Sequence, residues 1–238
     1  MGFLMYDWKY LLLVLLPGLL IGLWAQARVH AAFRRASRIR NRRGMTGAEA
    51  AQAILEDCGI RGVEIEPTEG FLSDHYHPLL RKLRLSRDVY EGDSLAAVGI
   101  AAHEAGHAVQ HGRGYLPLLL RSALVPVSSA GMMLAEIAIF MGLLLLAASP
   151  ALGRTLLFFA VLGYGAFFLF TLVTLPVEIN ASSRALAALT EGGIVSADEL
   201  PEVRGVLGAA ALTYVAAAVT ALLNLLYVLL LFLRARER

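Results

Sequence analysis

Four long apolar stretches constrain this chain more than any other feature. Residues 10–27, 124–148, 155–175 and 206–233 hold one charged side chain between them, Glu136. A helix needs about 20 apolar residues to cross the hydrocarbon core of a bilayer, so each stretch reaches or approaches spanning length. Composition agrees, with 58% of the 238 residues hydrophobic and 17% charged. The mean hydropathy of +0.64 lies outside the range of soluble domains. The chain reads as a multi-pass integral membrane protein. Its first stretch, extended by Phe3 to Met5, is expected to remain as an anchor over 1–27 rather than to be removed as a secretory signal. Asp7 stands near Lys9 ahead of it, and no small-x-small cleavage site is followed by a neutral mature start.

A net charge of +2 hides a strong asymmetry. Arg28, Arg34, Arg35, Arg38, Arg40, Arg42 and Arg43 follow the first stretch, with no acid before Glu49. Positive residues beside a span favour the cytoplasmic side, so 28–43 is expected inside a plasma (inner) membrane and the N-terminus outside. The cluster is read as a contact for anionic lipid headgroups, and no nucleic-acid partner is expected from it. The short connection 149–154 makes the second and third spans a hairpin, which returns 176–205 to the cytoplasmic side. The basic tail after 233 would end outside, against the same rule, which leaves a full or a partial crossing of 206–233 open. The division expected is an anchor over 1–27, a basic segment and soluble domain over 28–123, a hairpin over 124–175, a polar helix over 176–205, and a last span with its tail over 206–238.

Within the soluble part, Thr46-x-x-Glu49 is a capping box opening a helix with Ala50, Ala53, Ile54 and Cys58 on its apolar positions and Gly59 at its end. Cys58 is the only cysteine, which excludes an internal disulfide or a cysteine-rich zinc site and limits metal ligands to His, Asp and Glu. Residues 63–65 and 82–85 alternate polar and apolar and read as strands. Asp74-His75-Tyr76-His77-Pro78 lies between them and reads as a loop, either turn chemistry or part of a site. Asp93 or Ser94 then caps a helix that runs to about Gln110, with Leu95, Val98, Ala102, Ala105 and Val109 as its apolar stripe.

That helix carries His103-Glu104-Ala105-Gly106-His107. Histidines four residues apart share one helix face and can share a metal ion. Glu104 projects about 100° further round, where it can reach a metal-bound water without being a ligand, the general-base position of a zinc hydrolase. Five residues with three fixed letters also arise by chance, and the alternative is a helix with two polar histidines. His111 continues the spacing but lies about 12 Å along the axis from His103, too far to share an ion. The place six residues past His107, where metzincins carry a third histidine, holds Arg113. A third ligand must come from elsewhere. Glu178, just past Pro176 at a membrane exit, is the best-placed candidate. Glu191, Glu199 and Glu202 compete on composition, though Gly192-Gly193 and a second capping box, Ser196-x-x-Glu199, give them helix-end duties. Glu136 is costly at mid-span and is expected to be protonated or paired with Asn224 rather than metal-bound.

Three stretches together resemble a family. GFLSDHYHP at 70–78 with LRLS at 83–86, AAHEAGHAVQ at 101–110, and LPVEINASSRA at 175–185 are similar to the membrane-bound neutral zinc metallopeptidases of the YugP type. The segment AAALTYVAAA at 209–218 is similar to that family's last span. The resemblance implies zinc on His103, His107 and Glu178, with Glu104 as base, and kinship in site design with the HtpX and CAAX prenyl protease group. That wider group usually has an aspartate four residues after the glutamate ligand, where this chain has Ser182.

The expected fold is mostly α, a multi-span helical membrane protein with a small α+β zincin-like domain at the cytoplasmic membrane surface. The expected activity is hydrolysis of peptide bonds in peptides or membrane proteins. Tyr76, His75 or Arg184 would stabilise the oxyanion. Asp74, Asn180 and Ser182 would support the ligands. Leu83, Arg84 and Leu85 would bind extended substrate by strand addition. Two other classes compete. One is a non-catalytic scaffold or chaperone with structural zinc, disfavoured because such sites take four protein ligands and no cysteine offers a fourth. The other is a transporter, motivated by Glu136 and Asn224.

Overall fold

The structure, a computed structural model, describes residues 8–237. The expected extension over Phe3 to Met5, Asp7 and the terminal Arg238 lie outside them. Helix α1 (Trp8–Ala36) contains one π-helical segment at Leu11–Leu15. Helix α2 (Gly47–Asp57) follows, then strands β1 (Glu64–Thr68), β2 (His75–His77) and β3 (Lys82–Ser86). Short α3 (Arg87–Tyr90) leads to α4 (Leu95–Gly112), and the long helices α5 (Leu116–Leu145), α6 (Pro150–Glu191) and α7 (Leu200–Arg236) complete the chain. Helices α1, α5, α6 and α7 are long and apolar enough to cross a membrane. The architecture is α-rich with one small three-stranded sheet, as the sequence leads one to expect.

The chain packs as two compact units. One takes in the described residues up to Trp24, Leu120–Leu175 and the described residues from Thr213 on. Its core gathers Ala135, Ala138 and Ile139 of α5, Ala160 and Tyr164 of α6, and Val228 of α7. The α5–α6 hairpin packs through small residues: a Cβ added at Gly163 would stand 2.5 Å from the Gly131 carbonyl oxygen, so the two backbones touch there. Glu136 and Asn224 do not pair. The Tyr164 hydroxyl donates to Glu136 at 2.8 Å, and the Tyr10 hydroxyl donates to Asn224 Oδ1 at 3.1 Å. The pairing expected from composition overlooked the tyrosines, which offer a hydroxyl inside an otherwise apolar bundle.

The other unit comprises Ala25–Leu119 and Pro176–Leu212. Thr46 caps α2 as its sequence indicates, accepting from Glu49 N while Glu49 accepts from Thr46 N. The sheet has the order β1-β3-β2, with β1 parallel and β2 antiparallel to β3. Two expectations change here. Residues 75–77 are a strand rather than a loop, because His75, Tyr76 and His77 pair with Arg84, Leu83 and Lys82. β3 is therefore central, with neighbours on both edges, and Leu83, Arg84 and Leu85 are not free to add a substrate strand. Leu83 and Leu85 instead point into the core, both fully buried.

Helix α4 is the centre of this unit. Ser94 rather than Asp93 is its cap, accepting from Ala97 N. Its alanine-rich sequence lets α2, the sheet, α6 and α7 close in, and Leu95, Val98, Ala101, Ala102, Ala105 and Ala108 join one core with Ile54, Leu55, Ala185, Leu189 and Val203. Helix α6 runs unbroken through Pro176, so the third span and the start of the polar helix placed over 176–205 are one continuous element. Proline removes one N–H, but Val177, Ala181, Ala185 and Leu189, at successive turns, are all fully buried, and that packing keeps the helix continuous past it. Helix α7 begins at Leu200 for the same reason, with Val203, Val206 and Leu207 in the core.

The arginine cluster is divided. Arg35 pairs with Glu202 at 2.7 Å, Arg40 with Asp93, Arg42 with Asp198, and Arg43 donates to the Gly192 carbonyl at 3.1 Å. Arg28, Arg34 and Arg38 are exposed. Between α1 and α2, Asn41 is 3% exposed. Its amide donates to the Met45 and Asp93 carbonyls, and its Oδ1 accepts from Met45 N. The Ile39 carbonyl accepts from Leu95 N at 2.8 Å, so this segment fixes the start of α4. Replacing Asn41 by Ala leaves these buried groups unpartnered and is expected to cost about 2 kcal/mol. Denaturant titration in detergent checks this, and an unchanged midpoint contradicts it.

Candidate metal centre

Two helices supply the site. On α4, His103 and His107 present their rings one turn apart, with centroids 4.8 Å apart and planes at 85°. On α6, Glu178 occupies the turn that faces them and is 2% exposed. His103 Nε2 lies 3.1 Å and His107 Nε2 3.5 Å from Glu178 Oε2. One donor atom from each of the three lies within 4.8 Å of the other two.

The approach of the helices is set by Gly106, between the two histidines. A Cβ there would stand 2.7 Å from the Ala181 carbonyl oxygen, a contact with backbone that only glycine avoids. Glu191, Glu199 and Glu202 are not in this group. Glu199 accepts from Ser196 and from Arg42 N, and Glu202 holds Arg35.

A zinc ion fits this donor set. Ligands about 2.0–2.1 Å from a tetrahedral ion are roughly 3.3 Å from one another, close to the separations found here. Two imidazoles and one carboxylate are also a common catalytic set for that metal. The far nitrogens of both rings are engaged, His103 Nδ1 with Ser182 Oγ at 3.1 Å and His107 Nδ1 with Gln110 Oε1 at 3.0 Å. Both Nε2 atoms are thereby turned toward Glu178.

The other expected site residues fall in different places. Glu104 is partly exposed on the rim of the motif helix. Burial pushes the Asp74 carboxyl up, Ser86 hydrogen bonds oppose this, and Glu104 adds to the rise. The His107 pKa is raised although burial works against it, because Glu178 and Glu104 favour the imidazolium. Ser182 bonds a candidate ligand directly, and Asn180 reaches His107 through Gln110. Asp74 bonds Ser86, not a histidine. The Tyr76 hydroxyl stands 2.8 Å from His111 Nδ1 on the motif helix. His75 is exposed, with Nδ1 at 2.8 Å from the Ser73 carbonyl. Arg184 donates to Asn180 Oδ1 at 2.7 Å and lies 5.8 Å over the Tyr115 ring. Gln110 was not singled out from sequence. The signal available was its spacing, a polar residue three positions past His107 on a helix rich in alanine and valine.

Substituting Gly106 by Ala is expected to force α4 and α6 apart and to lower bound zinc several-fold while helix content stays near wild type. Metal analysis and circular dichroism of purified protein measure both, and full zinc content in this variant contradicts the account of the close approach.

Comparisons with known proteins bear on the whole chain. The profile of the family described as "Putative neutral zinc metallopeptidase" matches residues 11–233. A curated relative, "Putative membrane protease YugP" of Bacillus subtilis (strain 168), is 41% identical over 217 residues, covering 91% of this chain and 94% of that protein. No solved structure matches significantly. With a profile that spans nearly all of its residues, the chain belongs to the neutral zinc metallopeptidase family so described.

Proposed function

We propose that this protein is a membrane-integral zinc endopeptidase in which Glu104 is the general base and His103, His107 and Glu178 hold the metal. The convergence of two Nε2 atoms on one Glu178 oxygen, with Glu104 on the adjoining rim, is the observation that carries this reading. Zinc in such a site acts as a Lewis acid, polarising a carbonyl and lowering the pKa of water. The Glu104 carboxylate takes a proton from the attacking water as its oxygen bonds to the peptide carbonyl carbon. It then delivers that proton to the departing amine nitrogen as the C–N bond breaks.

Tyr76 is the best supported of the three oxyanion candidates, since β2 and His111 fix it beside the motif helix. Burial raises its pKa, partly offset by Arg81, so it keeps its proton at neutral pH. When His111 donates from Nδ1, the tyrosine proton is free for a substrate oxygen. The substrate is a peptide or membrane protein. The arginines of 28–43 support a site on the cytoplasmic face of the plasma membrane, with Arg28, Arg34 and Arg38 as its contacts for anionic lipid.

His103→Ala and Glu178→Ala are expected to lose zinc. Glu104→Gln is expected to keep it and to lose hydrolysis by a hundredfold or more, on the order of what general-base catalysis supplies. Metal analysis beside cleavage of an unstructured protein substrate separates the outcomes. Stoichiometric zinc in Glu178→Ala overturns the ligand assignment, and full activity in Glu104→Gln overturns the base.

A further inference from the structure

Gln110 is fully buried on α4, three residues past His107. Its Nε2 lies 2.9 Å from the Val177 carbonyl and 3.0 Å from Asn180 Oδ1, and its Oε1 lies 3.0 Å from His107 Nδ1. The orientation of this amide is set by neighbours that have one hydrogen-bonding role each. The Val177 carbonyl can only accept. Arg184 Nε, 2.7 Å from Asn180, can only donate, so the Asn180 atom it meets is the oxygen. Gln110 therefore faces two acceptors, and only its NH2 group satisfies both. Its remaining atom is the carbonyl oxygen, which cannot donate. His107 must then carry hydrogen on Nδ1, and in the neutral ring this puts the lone pair on Nε2, the atom turned toward Glu178.

His103 is held differently. The Ser182 hydroxyl can rotate to donate to Nδ1 or to accept from it, so this partner imposes no tautomer on the ring. The two histidines of the motif are thus unlike. At Nδ1 one meets a hydroxyl that can serve either way, and the other meets a buried network that begins at a permanent cation.

We propose that Gln110 is a positioning residue that locks His107 in its metal-binding tautomer and ties that ring to the turn of α6 carrying Glu178. Val177, whose carbonyl it holds, directly precedes Glu178. The same amide thus orients one ligand and anchors the backbone of another. This rests on the reading of His107 and Glu178 as ligands given above. Asn180 and Arg184 complete the chain by holding the amide in its one satisfied orientation.

The test compares wild type with Gln110→Met, which removes donor and acceptor at similar volume, and Gln110→Glu, which in its protonated form keeps an acceptor for His107 and a donor for Val177. Two readouts are used. Nitrogen NMR of histidine-labelled, metal-free protein reports the His107 tautomer, and competition with a chelator reports zinc affinity. Wild type and Gln110→Glu are expected to show hydrogen on Nδ1 and similar affinity. Gln110→Met is expected to lose that single tautomer and to bind zinc about 10–100-fold more weakly, the usual effect of removing such a partner. Should Gln110→Met fail to fold, Asn180→Leu, which loosens the amide from α6, is expected to shift both readouts in the same direction. Hydrogen on Nε2 with none on Nδ1 in the wild type, or an unchanged Nδ1 signal and affinity in Gln110→Met, overturns the proposal. Failure of wild type to bind zinc overturns the ligand reading alone, because the tautomer is measured without metal.

Discussion

Three donor atoms meet in this protein because two helix backbones come nearly into contact. Gly106 lies against the Ala181 carbonyl between α4 and α6, and no residue with a Cβ fits there. Around that point, Ala102, Ala105 and Ala108 keep α4 narrow, and Ala181 and Ala185 do the same for α6. Small residues here are not a default filling. They bring an imidazole pair on one helix within 3.1 and 3.5 Å of a carboxylate on the other.

Close packing of this kind leaves polar groups buried, and each must be satisfied. Gln110 and Glu178 are almost fully buried, and His107 is 7% exposed. Their hydrogen bonds run in one line from Arg184 through Asn180 and Gln110 to His107. A network in which every member has one satisfying orientation is rigid, and rigidity is what a metal site with few protein ligands requires. The same reasoning covers Asn41, whose buried amide joins the end of α1 to the start of α4.

Much of this was legible in the sequence, and the failures have physical causes. The four long apolar helices, both short helix caps and the motif helix follow from hydropathy period and capping chemistry, which are local. Glu178 emerged by elimination and by resemblance. What escaped was set by tertiary contacts. His75, Tyr76 and His77 form a strand because β3 offers a free edge, although the flanking Asp74 and Pro78 resemble turn residues. Helix α6 passes Pro176 because the buried face beyond it outweighs one lost hydrogen bond. The arginines after α1 read as one lipid-facing cluster, yet Arg35, Arg40 and Arg42 have acidic partners as many as 167 residues away in the chain. The role of Gln110 escaped for the same reason, since its partners Val177 and Asn180 belong to another helix.

The central claim is that His103, His107 and Glu178 form a zinc site. X-ray absorption at the zinc edge, on protein extracted from membranes without added metal, tests it most directly. The account predicts stoichiometric zinc with two imidazole ligands and light oxygen ligands at about 2.0–2.2 Å, and no sulfur. Zinc bound by fewer than two imidazoles, a sulfur ligand, or protein that takes up no zinc even when it is supplied would contradict it.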